Sequence, residues 1–391
     1  MRRMFSRFLR TMLRHVPAAA VIALVGVAAL QARTKPQDDQ KLLDDMIGQM
    51  IIVGFPGRHD RDPGVAAVRE QLAKGVIGGV ALFSSNVDSK AQLRNLIGFL
   101  KNARSNPIPF IAVDQEGGKV QRLNSRNGFR HYPSARAMAK NPKFSSPEAA
   151  ERLYGRMAGE LADTGFNMNF APVLDLDLNA RNPVIGRLAR SYGDSPDEVT
   201  SFARTFIEAH RATNVVAVGK HFPGHGSSTE DSHWELADIS QTWREIELEP
   251  YRRLAADGAL DAVMVGHLYH PRFSDLEDQP ASLSSKAVRA LRNKNWIGFG
   301  GVALSDDMEM GGVNPAFSFE DRIVKAVTAG IDIVVFSNVK SEDPELGVRV
   351  HEVIARAVRE GRISRLRIEQ AYGKIMLLKR RLMQKDLAGK W

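Results

Sequence analysis

Residues 215–233 read VVAVGKHFPGHGSSTEDSH, an apolar run of strand length that leads directly into a polar loop. Pro223 and Gly224 predict a shaped loop instead of a helix or strand, because proline fixes its own backbone angle and glycine adopts angles closed to other residues. Asp231 and His233 are two residues apart, so the carboxylate can hold one imidazole nitrogen and leave the other free to exchange protons. The segment therefore predicts a functional site at the end of a strand.

The alternation of apolar runs and amphipathic helices extends over the chain from residue 41 onward. Eight runs of strand length lie at residues 49–55, 78–83, 109–115, 168–177, 215–221, 262–267, 301–307 and 332–338. Helical patterns lie between them and follow the last one, and several begin at Ser-Pro or Asp-Pro and end at Gly. This pattern predicts an α/β fold with a (β/α)8 TIM-type barrel as a single domain, with a doubly wound open sheet as the alternative.

The position of the polar residues favours the barrel. Acidic, histidine and asparagine side chains occur at the carboxyl ends of the apolar runs, at Asp114, Asp175, His221, His267, Asp306 and Asn338. In a closed barrel these ends converge on one mouth, so six scattered positions become parts of one site.

The composition excludes several classes of function. The 391 residues are 43% hydrophobic and 25% charged, which is ordinary for a globular protein, and they include no cysteine. Disulfides, thiolate metal sites and a cysteine nucleophile are therefore excluded. The formal charge of +9 falls to +4 when the five arginines of residues 1–32 are left out, so the basic balance does not predict a nucleic-acid partner.

The first 32 residues differ from the rest of the chain. They carry five arginines, no acidic residue and an apolar run at residues 16–30. This pattern predicts a signal peptide or, if it is not cleaved, a membrane anchor, and hence a periplasmic or otherwise extracytoplasmic protein whose N-terminal segment contacts the membrane. Residues 33–40 predict a linker and residues 41–385 the barrel domain, and the basic run 379–391 predicts a solvated last helix.

Two further motifs carry candidate site residues. In SDDMEM, residues 305–310, Asp306 continues the inward alternation of its strand and is predicted to be a nucleophile, whereas Asp307 faces the other way and is predicted to be structural. In VDQEGGKVQR, residues 113–122, Asp114 ends a strand, and Arg122 is placed to support it or to contact a ligand.

Together the motifs resemble the β-N-acetylhexosaminidase branch of glycoside hydrolase family 3. The resemblance covers roughly residues 41–375 and rests on motifs that occur in the family's order: VDQEGGKVQR, NFAPVLDLD, the RSYG turn, KHFPGHGSSTEDSH, QPASLS and LSDDMEM. It implies that Asp306 is the nucleophile, that His233 is the general acid/base and that Asp231 orients His233. It also implies a set of residues that grip the sugar, namely Asp114, Arg122, Arg190, Lys220 and His221. Arg190 is favoured over Arg187 for this role.

The resemblance implies a retaining exo-β-N-acetylglucosaminidase that acts on peptidoglycan fragments or chitooligosaccharides, a small carbohydrate partner, and no metal or redox cofactor. His221 and His225 are four residues apart, but they lie on a Pro-Gly loop where helical spacing has no meaning, so a zinc site is not predicted. A β-glucosidase or β-xylosidase of the same family, a phosphorylase and a non-catalytic envelope sugar-binding protein remain as alternatives. The sequence does not predict an oligomeric state.

Overall fold

The computed structural model describes residues 36–144, 146–313 and 315–388. The predicted signal or anchor segment, residues 1–32, lies outside them. Contacts divide the chain into Met1–Asp44 and Asp45–Trp391. Residues 36–40, which were predicted to lie in a linker, instead begin the first helix, which runs from Pro36 to Gln49. No helix within the described residues is long and apolar enough to cross a bilayer.

Twelve strands are found in the described residues, and eight of them form a closed parallel barrel. The strands are β1 (Ile51–Val53), β2 (Gly79–Leu82), β3 (Phe110–Val113), β4 (Gln115–Gly117), β5 (Val120–Gln121), β6 (Met168–Asn169), β7 (Val216–Phe222), β8 (Ala237–Asp238), β9 (Ala262–Val265), β10 (Leu268–Tyr269), β11 (Val302–Asp307) and β12 (Ile333–Phe336). The barrel consists of β1, β2, β3, β6, β7, β9, β11 and β12 in chain order.

Closure of the sheet decides between the two predicted architectures. The first barrel strand pairs in parallel with the last, with Ile51 opposite Val334 and Val53 opposite Phe336. An open doubly wound sheet has no such pair, so the (β/α)8 prediction is confirmed. Two small pairs lie outside the barrel: the hairpin of β4 with β5, and β8 parallel to β10.

Eleven α-helices lie in the described residues. They are α1 (Pro36–Gln49), α2 (Pro63–Lys74), α3 (Lys90–Lys101), α4 (Ala135–Lys140), α5 (Pro147–Thr164), α6 (Pro196–Ala212), α7 (Glu249–Ala256), α8 (Ser285–Arg292), α9 (Phe319–Ala329), α10 (Leu346–Arg359) and α11 (Arg365–Ala388). Proline opens α2, α5 and α6, and a left-handed glycine ends α2, α5 and α9, as the start and stop signals predict.

Prolines account for two differences from the predicted elements. The run 168–177 contributes only Met168–Asn169 as a strand, because Pro172 has no backbone N–H to donate to a ladder. The helical pattern at 243–258 becomes a 3₁₀ turn (Glu245–Leu248) followed by α7, which has Pro250 in its first turn, where no N–H is needed.

The last helix closes the N-terminal end of the barrel. Leu378, Lys379 and Leu382 of α11 are buried. The Lys379 Nζ donates to Gln49 Oε1 at 2.7 Å and to the Gly78 carbonyl at 2.8 Å, just before β1 and β2 begin. The prediction of a solvated last helix is therefore wrong for one face of α11, because the lysine stem packs against apolar surface while its ammonium reaches polar partners.

Candidate active site

A cavity of about 310 Å³ opens at the carboxyl ends of the barrel strands. It is lined by seven of the eight predicted site residues: Asp114, Arg122, Arg190, Lys220, His221, His233 and Asp306. The eighth, Asp231, is hydrogen-bonded to His233. The closed barrel thus brings together residues from four separate regions of the sequence. Arg187, the rival of Arg190, is exposed.

An ion cluster forms one side of the cavity. The Lys220 Nζ lies 2.8 Å from Asp114 Oδ1 and 2.7 Å from Glu116 Oε1. Arg190 pairs with Glu116 through two bonds, Nε to Oε2 at 2.8 Å and Nη2 to Oε1 at 2.7 Å. Arg122 Nη2 lies 3.3 Å from Asp114 Oδ2. Three cations and two carboxylates are therefore held in fixed positions, which suits recognition of a ligand rich in hydroxyl groups.

Both carboxylates of the cluster are ionised at neutral pH. Burial raises the pKa of Asp114, but the charges of Lys220 and Arg122 outweigh it and hold that pKa well below its usual range. The same competition at Glu116, between burial and the charges of Arg190 and Lys220, lowers its pKa to about 2. The carboxylates consequently act as hydrogen-bond acceptors.

Asp175 fixes the orientation of His221. The His221 Nδ1 lies 2.7 Å from Asp175 Oδ2, and its Nε2 lies 3.3 Å from Arg190 Nη2. Because a carboxylate can only accept, the His221 Nδ1 carries the proton that is donated to Asp175. Asp175 and Arg190 thus contact the two ring nitrogens of His221.

Strand β11 carries the predicted nucleophile into the cavity. Asp306 lines it, and its Oδ1 accepts the Asp307 N–H at 2.8 Å. Burial raises the pKa of Asp306, but the neighbouring imidazoles of His221 and His267 outweigh burial and the net shift is downward. An ionised carboxylate is the form that can attack an electrophile.

Asp307 was predicted to face away from the barrel mouth, but it lines the cavity together with Asp306. Its Oδ1 accepts the backbone N–H groups of Ser337 at 2.8 Å and Glu309 at 3.1 Å. Its carbonyl accepts from Nε2 of the buried His267 at 2.8 Å. Burial raises the pKa of Asp307 to about 6.

The loop after β7 places Asp231 and His233 at the rim. The His233 Nδ1 lies 2.7 Å from Asp231 Oδ1, which leaves Nε2 free, and 53% of the histidine side chain is exposed. The loop backbone is attached to the segment after β11: Gly311 N–H donates to the His233 carbonyl at 3.0 Å and Gly312 N–H to the Ser232 carbonyl at 2.9 Å. The loop that carries His233 is thus tied to the strand that carries Asp306.

Comparison with known proteins identifies the family of the chain. The glycosyl hydrolase family 3 N terminal domain matches residues 42–378 of the chain. The chain belongs to glycosyl hydrolase family 3.

Named family relatives share substantial identity with the chain. It is 38% identical over 277 residues to the β-hexosaminidase of Tolumonas auensis. The aligned region covers 70% of this chain and 79% of that protein. It is 37% identical over 273 residues to the β-hexosaminidase of Pseudomonas aeruginosa strain LESB58. That aligned region covers 69% of this chain and 78% of the relative.

Solved structures of family 3 proteins share the fold. A family 3 β-N-acetylglucosaminidase from Paenibacillus sp. str. FPU-7 superposes with a TM-score of 0.78 and 32% identity, over 87% of this chain but only 62% of that one. A β-N-acetylhexosaminidase from Beutenbergia cavernae DSM 12333 gives a TM-score of 0.76 and 25% identity, over 86% and 98%.

Two residues that support this site were not predicted to belong to it: Glu116 and Glu247. Asp175 was predicted to lie at the barrel mouth, but its pairing with His221 was not predicted. Glu116 lies in VDQEGGKVQR, two residues after Asp114, and that position was a signal that could have found it. Glu247 has no local signal, because it lies within an ordinary amphipathic helical pattern.

Glu247 holds the first part of the loop after β7 in place. It is fully buried, and it accepts the Gly226 N–H at 3.0 Å and the Ser227 hydroxyl at 2.6 Å. Burial raises the pKa of Glu247 to about 7. Within the residues that the structure describes, no group of three histidine or acidic side chains is arranged to hold a metal ion.

Proposed function

We propose that the chain is a retaining exo-β-N-acetylglucosaminidase that releases terminal β-linked GlcNAc from peptidoglycan fragments or chitooligosaccharides. The observation that carries the proposal is that the Asp306 carboxylate and the His233 imidazole line the same cavity, with His233 held by Asp231 at 2.7 Å. The names of the relatives support the choice of an N-acetylhexosamine. A cavity of about 310 Å³ is at the small end for ligand sites and suits one terminal sugar ring.

In the first step the Asp306 carboxylate attacks the anomeric carbon. A carbon–oxygen bond to Asp306 forms as the glycosidic bond breaks, and the doubly protonated His233 donates its Nε2 proton to the departing oxygen. The Asp231 carboxylate accepts the Nδ1–H and stabilises the imidazolium before the transfer.

In the second step water displaces the Asp306 carboxylate from the anomeric carbon. The now neutral His233 takes a proton from water through Nε2, the resulting oxygen attacks the anomeric carbon, and the bond to Asp306 breaks. The sugar leaves with its original β configuration, because two inversions have occurred. Meanwhile Asp114, Lys220 and Arg190 hold the sugar hydroxyls, which fixes the reacting carbon against Asp306.

The test compares Asp306→Ala with Asp257→Ala, a surface aspartate paired with Arg204. On an aryl β-GlcNAc we expect Asp306→Ala to lose at least about a thousandfold in kcat while GlcNAc affinity by calorimetry persists, and the surface variant to match wild type. His233→Ala should lose about 10²-fold or more on unactivated disaccharides and much less on nitrophenyl leaving groups.

Several results would overturn the proposal. Preference for the β-glucoside over the β-GlcNAc substrate would contradict the substrate class. Inhibition by EDTA would contradict the mechanism, and sugar 1-phosphate formed in phosphate buffer would indicate a phosphorylase. Unchanged turnover in Asp306→Ala would contradict its role as nucleophile.

We also propose that residues 1–32 direct export to an extracytoplasmic compartment, on the basis of their arginines and apolar run. Fractionation of cells expressing the full chain and a form lacking residues 1–32 tests this: the full chain should be found outside the cytoplasm and the shortened one inside. Equal distribution of the two would contradict it.

A further inference from the structure

Trp234, the residue after His233, is 76% exposed and is the most exposed large apolar side chain in the part of the chain that the structure describes. An exposed indole gives up the favourable free energy of burying a large apolar surface. Trp234 directly follows His233, which lines the cavity and is proposed to protonate the leaving group. Its position is therefore that of a surface which a ligand covers.

The indole faces the loop after β12 on the other side of the rim. The Lys340 Nζ lies 5.7 Å from the centroid of the Trp234 ring, within the range of a cation–π contact. Val339, the residue before it, lines the cavity and is 50% exposed. The Trp234 ring thus neighbours the loop whose Val339 lines the cavity.

The backbone of Trp234 is fixed before any ligand binds. Its N–H donates to the Asp231 carbonyl at 3.0 Å, and the preceding carbonyl, that of His233, accepts from Gly311. A Cβ at Gly311 would lie 2.1 Å from the Trp234 carbonyl oxygen, so the two segments approach as closely as glycine allows. A surface held in this way loses little entropy when it binds a ligand.

We propose that Trp234 is the platform for the leaving-group sugar, stacking on the apolar face of the hexopyranose beyond the bond that is cleaved. This inference rests on the proposed function. His233 must reach the glycosidic oxygen, so the leaving sugar lies directly beyond His233, where the adjacent indole stands. The platform makes the enzyme favour substrates whose leaving group is a sugar over substrates that merely have a good leaving group.

The experiment uses two substrates that share the reacting sugar: N,N′-diacetylchitobiose, which has a leaving-group sugar, and β-GlcNAc fluoride, which has none. For Trp234→Ala we expect the ratio of kcat/KM for the disaccharide to that for the fluoride to fall about tenfold, and Trp234→Phe to restore most of it because a planar apolar face returns. Leu377→Ala removes another exposed apolar side chain, 65% exposed, on α11 and should leave the ratio unchanged.

A calorimetric arm separates failure of this inference from failure of the proposed function. In an Asp306→Ala background, adding Trp234→Ala should weaken disaccharide binding about tenfold relative to GlcNAc binding. If wild type hydrolyses neither substrate, the proposed function is wrong and this arm still decides the platform. Disaccharide binding that is unchanged relative to GlcNAc binding, or an unchanged kinetic ratio, would overturn the platform. A lowered kinetic ratio with unchanged binding would overturn it too and would indicate a role in holding His233, because loss of the acid also slows the disaccharide more than the fluoride.

Discussion

Glu116 shows how one carboxylate organises one side of the cavity. Its Oε1 contacts both Lys220 and Arg190 at 2.7 Å, and its own side chain is 7% exposed. Both cations would otherwise lie in the low-dielectric wall with less negative charge nearby, where an unpaired charge costs several kcal/mol. Glu116 therefore positions two of the residues that are proposed to hold the sugar.

We predict that Glu116→Gln lowers both stability and substrate affinity. The neutral amide leaves the buried Arg190 and Lys220 with a weaker partner, so the free energy of unfolding in urea should fall by about 3 kcal/mol and KM should rise more than kcat falls.

The matched control for this prediction is Glu360→Gln, at a surface carboxylate paired with Arg362 at 2.6 Å. It should cost less than about 1 kcal/mol, because exposed ion pairs contribute little. Equal losses in the two variants would show that burial of the pair at Glu116 is not the cause.

The sequence predicted the site residues better than their partners. The alternation of a strand predicted that Asp306 faces the cavity, and Asp306 lines it, but Asp307 lines it as well. The pairing of Glu116 with Arg190 joins positions 74 apart, and that of His221 with Asp175 joins positions 46 apart. Barrel closure, and not a local sequence pattern, brings such distant positions together. The sequence therefore indicates which residues belong to the site but not which residue each of them contacts.

At the scale of elements, the loop after β7 is supported from two sides. Glu247 of the 3₁₀ turn binds its first part at Gly226 and Ser227, and the glycine pair after β11 binds its last part at Ser232 and His233. The pattern predicted a loop, but only the fold shows which elements support it.

The raised pKa of Glu247 predicts a pH-dependent stability. Its pKa rises from 4.5 in the unfolded chain to about 7 in the folded one, because of burial. Between these values the folded protein keeps a proton that the unfolded chain has released, so stability falls as pH rises, by on the order of 3 kcal/mol in all.

Urea unfolding at a series of pH values from 5 to 8 checks this prediction. Glu247→Gln should lose this part of the pH dependence, since an amide can accept the Gly226 N–H without ionising. Glu277→Gln, at an exposed position, should keep the wild-type profile. A profile of Glu247→Gln that parallels wild type would refute the assignment.

The close contact at Gly311 gives a second prediction for this loop. A Cβ there would lie 2.1 Å from the Trp234 carbonyl oxygen, so Gly311→Ala must push the loop that carries Asp231 and His233 away from β11. We expect kcat on the disaccharide to fall at least about tenfold, because misplacing a catalytic group is costly.

The control for Gly311→Ala is Gly300→Ala, because a Cβ at Gly300 meets no atom within 4 Å. It should retain wild-type kcat, and circular dichroism should show both variants folded. Wild-type kcat in Gly311→Ala would mean that the loop position does not matter for turnover.

At the scale of the whole barrel domain, site and support lie at opposite ends. The cavity opens at the carboxyl ends of the strands, while α11 packs at their amino ends. There the buried Asp332 pairs with Arg292 at 2.6 Å, with Arg367 at 2.7 Å and with Lys374 at 3.1 Å. In TIM barrels the first end carries function and the second stability.

The sequence predicted the barrel, but it did not predict that the last helix packs at the amino ends of the strands. The polar carboxyl ends of the eight apolar runs can form one site only if the sheet closes. The pairing of β1 with β12 shows that it does. The basic run at the C-terminus looked solvated because its lysines and arginines dominate its composition. Its apolar positions define one helical face, but a face does not reveal the surface it packs on, and Lys379 was not recognisable as buried.

The two faces of α11 allow the separation of stability from activity to be tested on one helix. Ile375 is fully buried and Leu377 is 65% exposed. Ile375→Ala removes buried methylene groups and should lower the free energy of unfolding by about 3 kcal/mol, whereas Leu377→Ala should change it by less than about 0.5 kcal/mol. In native conditions both variants should keep kcat/KM within about twofold of wild type, because neither residue lies near the cavity. Urea unfolding and steady-state kinetics on the same preparations check this. A large loss of kcat/KM in folded Ile375→Ala would show that the amino end of the barrel controls the site after all.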